Sequence, residues 1–387
     1  VFQVVALGLG AVPIYLLARE RGLAASPAAA LGAAFLLHPA LQFIGWELFH
    51  PEALAITPIL CAYLCSRRRS WRWFAFWCVL ALSCKEDVAI VILVLGLIVA
   101  WRGDRRVGLT TAACAFAWFA ITAMVVMPAL NGGVTHAETL LSGAGGSAGG
   151  IASTLVHDPS NITNRVFSSE SGDFAWRILA PFGLAPLFAP VVLTMGLPQF
   201  LIDVLSDVPW TRMITFHYVA LPLTAAAIAM VEGVALLGRR FGRPARILAP
   251  LVVLLSAIYG TVAWGPSPIS AEYRAGWWPP PIDTRIEAKR AAVDAVPEGA
   301  AVSSSYTLVP QLSHRAEIYS FPNPWVPTNW GVPGSSTRSP DRVDWLVIDR
   351  QVTGAEDTRL LASILERGKF RVVLDRADVL VARRVRA

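Results

Sequence analysis

The chain has 387 residues, 55% of them hydrophobic and only 16% charged, with a mean hydropathy of +0.53. A soluble globular chain carries about 25% charged residues, so much of this surface meets something other than water. The net charge of +6 does not make a nucleic-acid face, because the arginines are divided among loops separated by apolar runs.

About 20 apolar residues span a bilayer as a helix. In chain order the candidate spans are Val1–Ala18, Ala28–Trp46, Ala53–Cys65, Trp73–Cys84, Val88–Trp101, Val107–Met127, Ile178–Leu205, His217–Gly238 and Ile247–Trp264. Ile178–Leu205 contains Pro181, Pro186, Pro190 and Pro198 and reads as a broken hairpin of two short helices, which brings the expectation to about ten segments. The chain opens at Val1 inside an apolar run, so it reads as a fragment with further sequence before it. The five cysteines, Cys61, Cys65, Cys78, Cys84 and Cys114, all fall in apolar segments and read as small buried hydrophobes rather than zinc ligands or disulfide partners.

The arginines orient the set. Clusters at Arg19–Arg21, Arg67–Arg72, Arg102–Arg106 and Arg239–Arg246 hold 13 of the 17 Lys and Arg residues before Gly265, all on alternate loops. The positive-inside rule assigns those loops to the cytoplasm of a multi-pass cell-membrane protein. The Glu47–Glu52 turn, a loop over residues 128–175 and everything after Trp264 then lie outside. Ser142–Gly150 in that loop is glycine-rich and should be mobile.

Residues 1–264 therefore read as an N-terminally truncated transmembrane domain and 265–283 as a Pro-rich linker. Residues 284–387 alternate short apolar runs with amphipathic helices, the pattern of a small extracytoplasmic α/β domain.

Candidate chemistry gathers in two turns. Glu47, His50 and Glu52 join the second and third spans, where carboxylates can act as base, metal ligand or hydroxyl acceptor; capping of the next helix also explains Glu52. Lys85, Glu86 and Asp87 join the fourth and fifth. Ionisable residues at membrane depth are costly and usually pair or bind a ligand, so Lys85 could hold a phosphate and Glu86 or Asp87 a divalent cation, or the triplet could close its own hairpin. Asp203, Asp207, Arg212 and His217 form a looser third set, in which Arg212 suits a lipid phosphate or, equally, an arginine snorkelling to the headgroups. The Trp277–Pro281 and Tyr319–Trp330 runs suit an interfacial belt better than sugar stacking, and His38 suits a hydrogen-bonded core position. No nucleotide-binding loop, nucleophile elbow or zinc-helix motif occurs.

The blocks "LLHPALQFIGWELFHPEALAITPILCAYL" and "CKEDVAIVI", with "AVPIYLLAR" before them and "VPEGAAVSSSYTLVPQLSHRAEIYSFP" after the last span, resemble a prokaryotic family of predicted polytopic membrane proteins, domain of unknown function 2079. That family is similar in layout to the GT-C glycosyltransferases, which join many helices to an external domain and take sugars from polyprenyl-phosphate donors. The resemblance implies an all-α GT-C-like bundle, a polyprenyl-phosphate sugar as partner beside the lipid bilayer, and a catalytic carboxylate in a first external loop that would precede Val1. Glu47, His50, Glu52, Lys85, Glu86, Asp87 and Arg212 would then line the substrate cavity. A non-catalytic lipid or solute transporter, or an envelope-assembly scaffold, stays open as the alternative.

Overall fold

A computed structural model describes residues 1–130, 140–273, 282–329, 332–333 and 338–385; Trp277–Pro281 and Trp330 of the aromatic runs fall outside them. The chain divides into two compact units, Val1–Trp277 and Trp278–Ala387.

The first unit opens with α1 (Phe2–Gly8), α2 (Ala11–Glu20), α3 (Ala25–Leu37), α4 (Pro39–Trp46), α5 (Pro51–Arg67), α6 (Trp71–Leu82), α7 (Val88–Trp101) and α8 (Arg105–Ile121). Prolines begin α4 and α5, where the missing N–H would have had no helical partner. His38 caps α4: its Nδ1 accepts from the Ala40 N–H at 3.2 Å, and its Nε2 lies 3.1 Å from the Ile178 carbonyl. It is fully buried, the hydrogen-bonded core position expected of it.

Four described stretches are long and apolar enough to cross a membrane: Phe2–Glu20, Arg105–Leu130, His217–Phe241 and Arg243–Trp264. A fifth is α3 with α4, bent by 51°. The helices α5, α6 and α7 hold 17, 12 and 14 residues. At ~1.5 Å per residue they are shorter than a hydrocarbon core of ~30 Å. The row of comparable spans expected from hydropathy is thus a mixture of long, bent and short helices. Ile178–Leu205 is also more broken than two helices. It folds as 3-10 turns Ala180–Phe182 and Ala185–Phe188, a short helix Pro190–Leu193 and a helix Leu197–Leu205, each with a proline in its first two positions. A proline starts a turn readily and cannot continue one.

The apolar window of His217–Phe241 is 94% buried, so this segment is the axis of the bundle. A Cβ on Gly233 would collide with the Ala185 carbonyl, and one on Gly108 with the backbone of Ala100. Glycine lets backbones approach this closely between membrane helices. By contrast only 6% of the Arg105–Leu130 window is buried, and Phe116, Ile121, Met124 and Leu130 are exposed. This protein is a membrane protein, and such faces are what lipid covers.

The glycine-rich segment is tied at its start rather than loose. Asp207 accepts from the Gly143 N–H at 2.6 Å and the Ser142 hydroxyl at 2.8 Å, and pairs with Arg165 at 2.8 Å. Desolvation of Asp207 opposes its ionisation, but the Gly143 N–H, Ser142 and Arg165 outweigh it and hold the carboxyl below its ordinary range.

The second unit is a five-stranded sheet of order β2-β1-β5-β7-β6, built from β1 (Val302–Ser304), β2 (Ile318–Ser320), β5 (Trp345–Asp349), β6 (Phe370–Arg376) and β7 (Val379–Arg384). A separate ribbon pairs β3 (Thr328–Asn329) with β4 (Val332–Pro333). β1 runs parallel to β2 and β5, while β7 is antiparallel to β5 and β6. Alternation along β5 places Trp345 and Val347 in one apolar layer with Ala288 and Ala292 of helix Thr284–Asp294. Leu346 and Ile348 enter the other with Leu361 and Ile364 of helix Ala355–Glu366. Helices on both faces bury the whole strand, as its apolar run requires.

At the end of β5, the fully buried Asp349 takes both carboxylate bonds from Arg285, at 2.7 and 2.9 Å, and one from Lys289 at 2.8 Å. Desolvation works against ionisation here, and Lys289 and Arg285 overcome it, lowering the Asp349 carboxyl below its ordinary value. A depressed carboxylate stabilises the fold above its unfolded pKa of about 4 and loses that contribution as pH falls through its lower folded value. Residues 284–387 expressed alone should therefore unfold cooperatively, and Asp349→Asn should cost about 2–3 kcal/mol near pH 7. The deficit should shrink as the wild type is acidified below about pH 4, which urea titrations at several pH values would check.

Candidate functional site

Trp46 closes α4, Glu47 leaves it in extended conformation, and His50 stands before the Pro51 that opens α5. Gln3 of α1 clamps this turn, donating to the Ile44 carbonyl at 2.5 Å and accepting from the His50 N–H at 3.1 Å. Glu52 falls in the first turn of α5, where the positive end of the helix favours a carboxylate.

The turn between α6 and α7 meets this one. Lys85 Nζ lies 2.8 Å from Glu52 Oε1 and 3.1 Å from Asp87 Oδ2. The third contributor comes from far along the chain. His217, which opens the axial segment, places Nδ1 at 3.2 Å from Glu47 Oε1 and Nε2 at 3.3 Å from Glu52 Oε1. Its ring stacks on His50 with centroids 3.4 Å apart, and His50 Nε2 is 3.6 Å from Glu47 Oε1. Asp203, buried and bonded to Gln199 at 2.8 Å, adds a further carboxylate.

Several acceptors in this group are buried without a hydrogen-bond partner: Glu47 Oε2, Asp87 Oδ1 and Asp203 Oδ2. Charge is unbalanced as well. Three facing carboxylates, Glu47, Glu52 and Asp87, meet one ammonium, whose charge Glu52 and Asp87 already share. Such a site attracts cations, and it accepts a phosphate only with added positive charge. The ligand atoms of Glu47, His50 and His217 all lie within 4.8 Å of one another, close enough to hold a metal ion. Two imidazoles and a carboxylate are a donor set for zinc or a similar divalent ion.

Five of the seven residues singled out in the sequence, Glu47, His50, Glu52, Lys85 and Asp87, converge. Glu86 is half-buried in the same turn and makes no side-chain hydrogen bond or ion pair among the described residues. Arg212 sits elsewhere, lining a groove of about 440 Å³ with Ser169, Glu170 and Asp173. The trio with ligand geometry among the described residues is Glu47, His50 and His217, which differs from the expected Glu86 and Asp87; Asp87 Oδ2 pairs with Lys85, while its Oδ1 stays unpartnered. His217 and Asp203 were visible only as part of the looser third set, and Gln3 carried no signal.

A family described as predicted membrane protein (DUF2079) matches residues 1–381. The chain belongs to that family. Among solved structures it is similar to ArnT from Cupriavidus metallidurans bound to undecaprenyl phosphate, with a TM-score of 0.50 at 14% identity, covering 100% of this chain and 84% of ArnT. The apo structure of the same protein gives 0.45 at 12% identity, covering 99% of this chain and 83% of ArnT. At that identity the likeness concerns the fold, a GT-C-like helical bundle followed by a small sheet domain. No curated protein matches.

Proposed function

We propose that this DUF2079 protein is a GT-C-type glycosyltransferase that takes a sugar from a polyprenyl-phosphate donor at the outer membrane face. The observation that carries this reading is the meeting of Glu47, His50, Glu52, Lys85, Asp87 and His217 in one partly buried group with unused acceptors. The likeness to a protein crystallised with undecaprenyl phosphate supports the ligand class. In the reaction the bond from the sugar C1 to the phosphate oxygen breaks, and one from C1 to an acceptor hydroxyl forms. The acceptor proton passes to a carboxylate base, and polyprenyl phosphate leaves with the electron pair. Glu47, His50 and His217 would hold a divalent cation, which supplies the positive charge that a leaving phosphate needs. Lys85 holds Glu52 and Asp87 in place across the two turns.

Incubating the purified chain with a polyprenyl-phosphate sugar and measuring released polyprenyl phosphate tests the proposal. Donor that neither binds nor reacts, beside measurable flux of a lipid or solute in vesicles, would favour a transporter instead.

The same reading puts the second unit outside the cell. In a cysteine-free background on intact cells, an impermeant thiol reagent should label a cysteine at Asp344 and not one at Arg68. The reverse pattern would invert the proposed topology.

A further inference from the structure

The opposite end of the bundle, which the arginine pattern assigns to the cytoplasm, holds a second polar group that the proposed reaction does not use. Glu232 of the axial helix pairs with Arg21 and accepts the Tyr63 hydroxyl at 2.7 Å. Arg102 donates to that hydroxyl at 2.8 Å, with its guanidinium over the Tyr63 ring. Beside this chain lies a pocket of about 220 Å³ lined by Ser66, Arg67, Arg69, Val99, Arg102 and Asp104.

The charges here do not cancel. Four guanidiniums, Arg21, Arg67, Arg69 and Arg102, face two carboxylates. Glu232 answers Arg21, and Asp104 answers Arg69 at 3.3 Å. Arg102 has only the neutral Tyr63 hydroxyl, and Arg67 has no side-chain hydrogen bond or ion pair among the described residues. Arg102 Nη1 and Arg21 Nε are buried donors without an acceptor. The carboxyl ends of α5 and α7 offer partial negative charge, which explains cations at those helix ends. It does not satisfy the buried donors. Two unanswered guanidiniums with free N–H groups match a doubly charged phosphate monoester, which guanidinium binds through paired hydrogen bonds.

We propose that this pocket is a binding site for a phosphate monoester, supplied either by an anionic lipid headgroup or by a free phosphate. The test uses the whole chain in phosphatidylcholine nanodiscs and reads its melting temperature. One arm adds inorganic phosphate against sodium chloride at equal ionic strength. The other replaces part of the lipid with phosphatidic acid, a monoester, or with phosphatidylglycerol, a singly charged diester. A rise with free phosphate assigns a soluble ligand, and one confined to phosphatidic acid assigns a headgroup. In either case Arg67→Gln should weaken the response about tenfold, and Arg67→Lys, which keeps the charge, should weaken it less. The site would be overturned by no rise in either arm, by a rise that Arg67→Gln leaves intact, or by an equal response to phosphatidylglycerol.

Discussion

Glu47→Gln and His217→Gln should each lower sugar transfer at least about 100-fold, the scale on which a catalytic ligand or proton-handling group contributes. Folded yield should stay near wild type. Neither side chain is the sole partner of a buried charge: the Lys85 ammonium keeps Glu52 and Asp87 in both variants. Bound zinc, measured by elemental analysis after dialysis against trace metal, should fall in both variants and in His50→Gln, because these three residues supply the ligand atoms within 4.8 Å of one another. Full activity in the metal-free wild type would remove the cation from the proposal. Full activity in His217→Gln would remove the cluster from the reaction.

The parts of this fold legible in the sequence are those governed by local pattern. Apolar runs and alternate arginine loops announce a membrane bundle, and an unbroken apolar run such as Trp345–Ile348 announces a strand buried on both faces. Where hydropathy fails is in telling a full crossing from a short helix: α6 holds 12 residues and is no less apolar than the 17-residue α5. The Glu47 and Lys85 turns were legible because ionisable residues beside apolar runs need partners. Their mutual pairing was not, since Glu52 and Lys85 are 33 positions apart and the packing of α5 against α6 and α7 joins them. His217 lies 170 positions from Glu47, and nothing local separates it from Arg212, which faces a different groove. Glu232 was hidden in the same way, as one acid within an apolar helix whose partners are Arg21, just after α2, and Tyr63 of α5.

Lys85 differs from the histidines in what its removal should do. Its ammonium stands between Glu52, whose side chain is only 4% exposed, and Asp87. Lys85→Ala leaves both carboxylates facing each other, with Asp87 Oδ1 already unpartnered. Removing one member of a buried ion pair costs about 3–5 kcal/mol, most of it from the charge left behind. Lys85→Ala should therefore lower the melting temperature and the folded yield, and any loss of transfer should come with that loss of structure. Lys85→Met with Glu52→Gln removes both charges of the closest contact and keeps side chains of similar volume, so it should recover much of the stability. Activity separates the two roles of the group. If Lys85 only staples the turns, the double variant should regain transfer together with its fold. A refolded double variant that binds donor but does not react would place the charge of Lys85 or of Glu52 in the reaction itself, and Glu52→Gln alone, with Lys85 still paired to Asp87, would tell which.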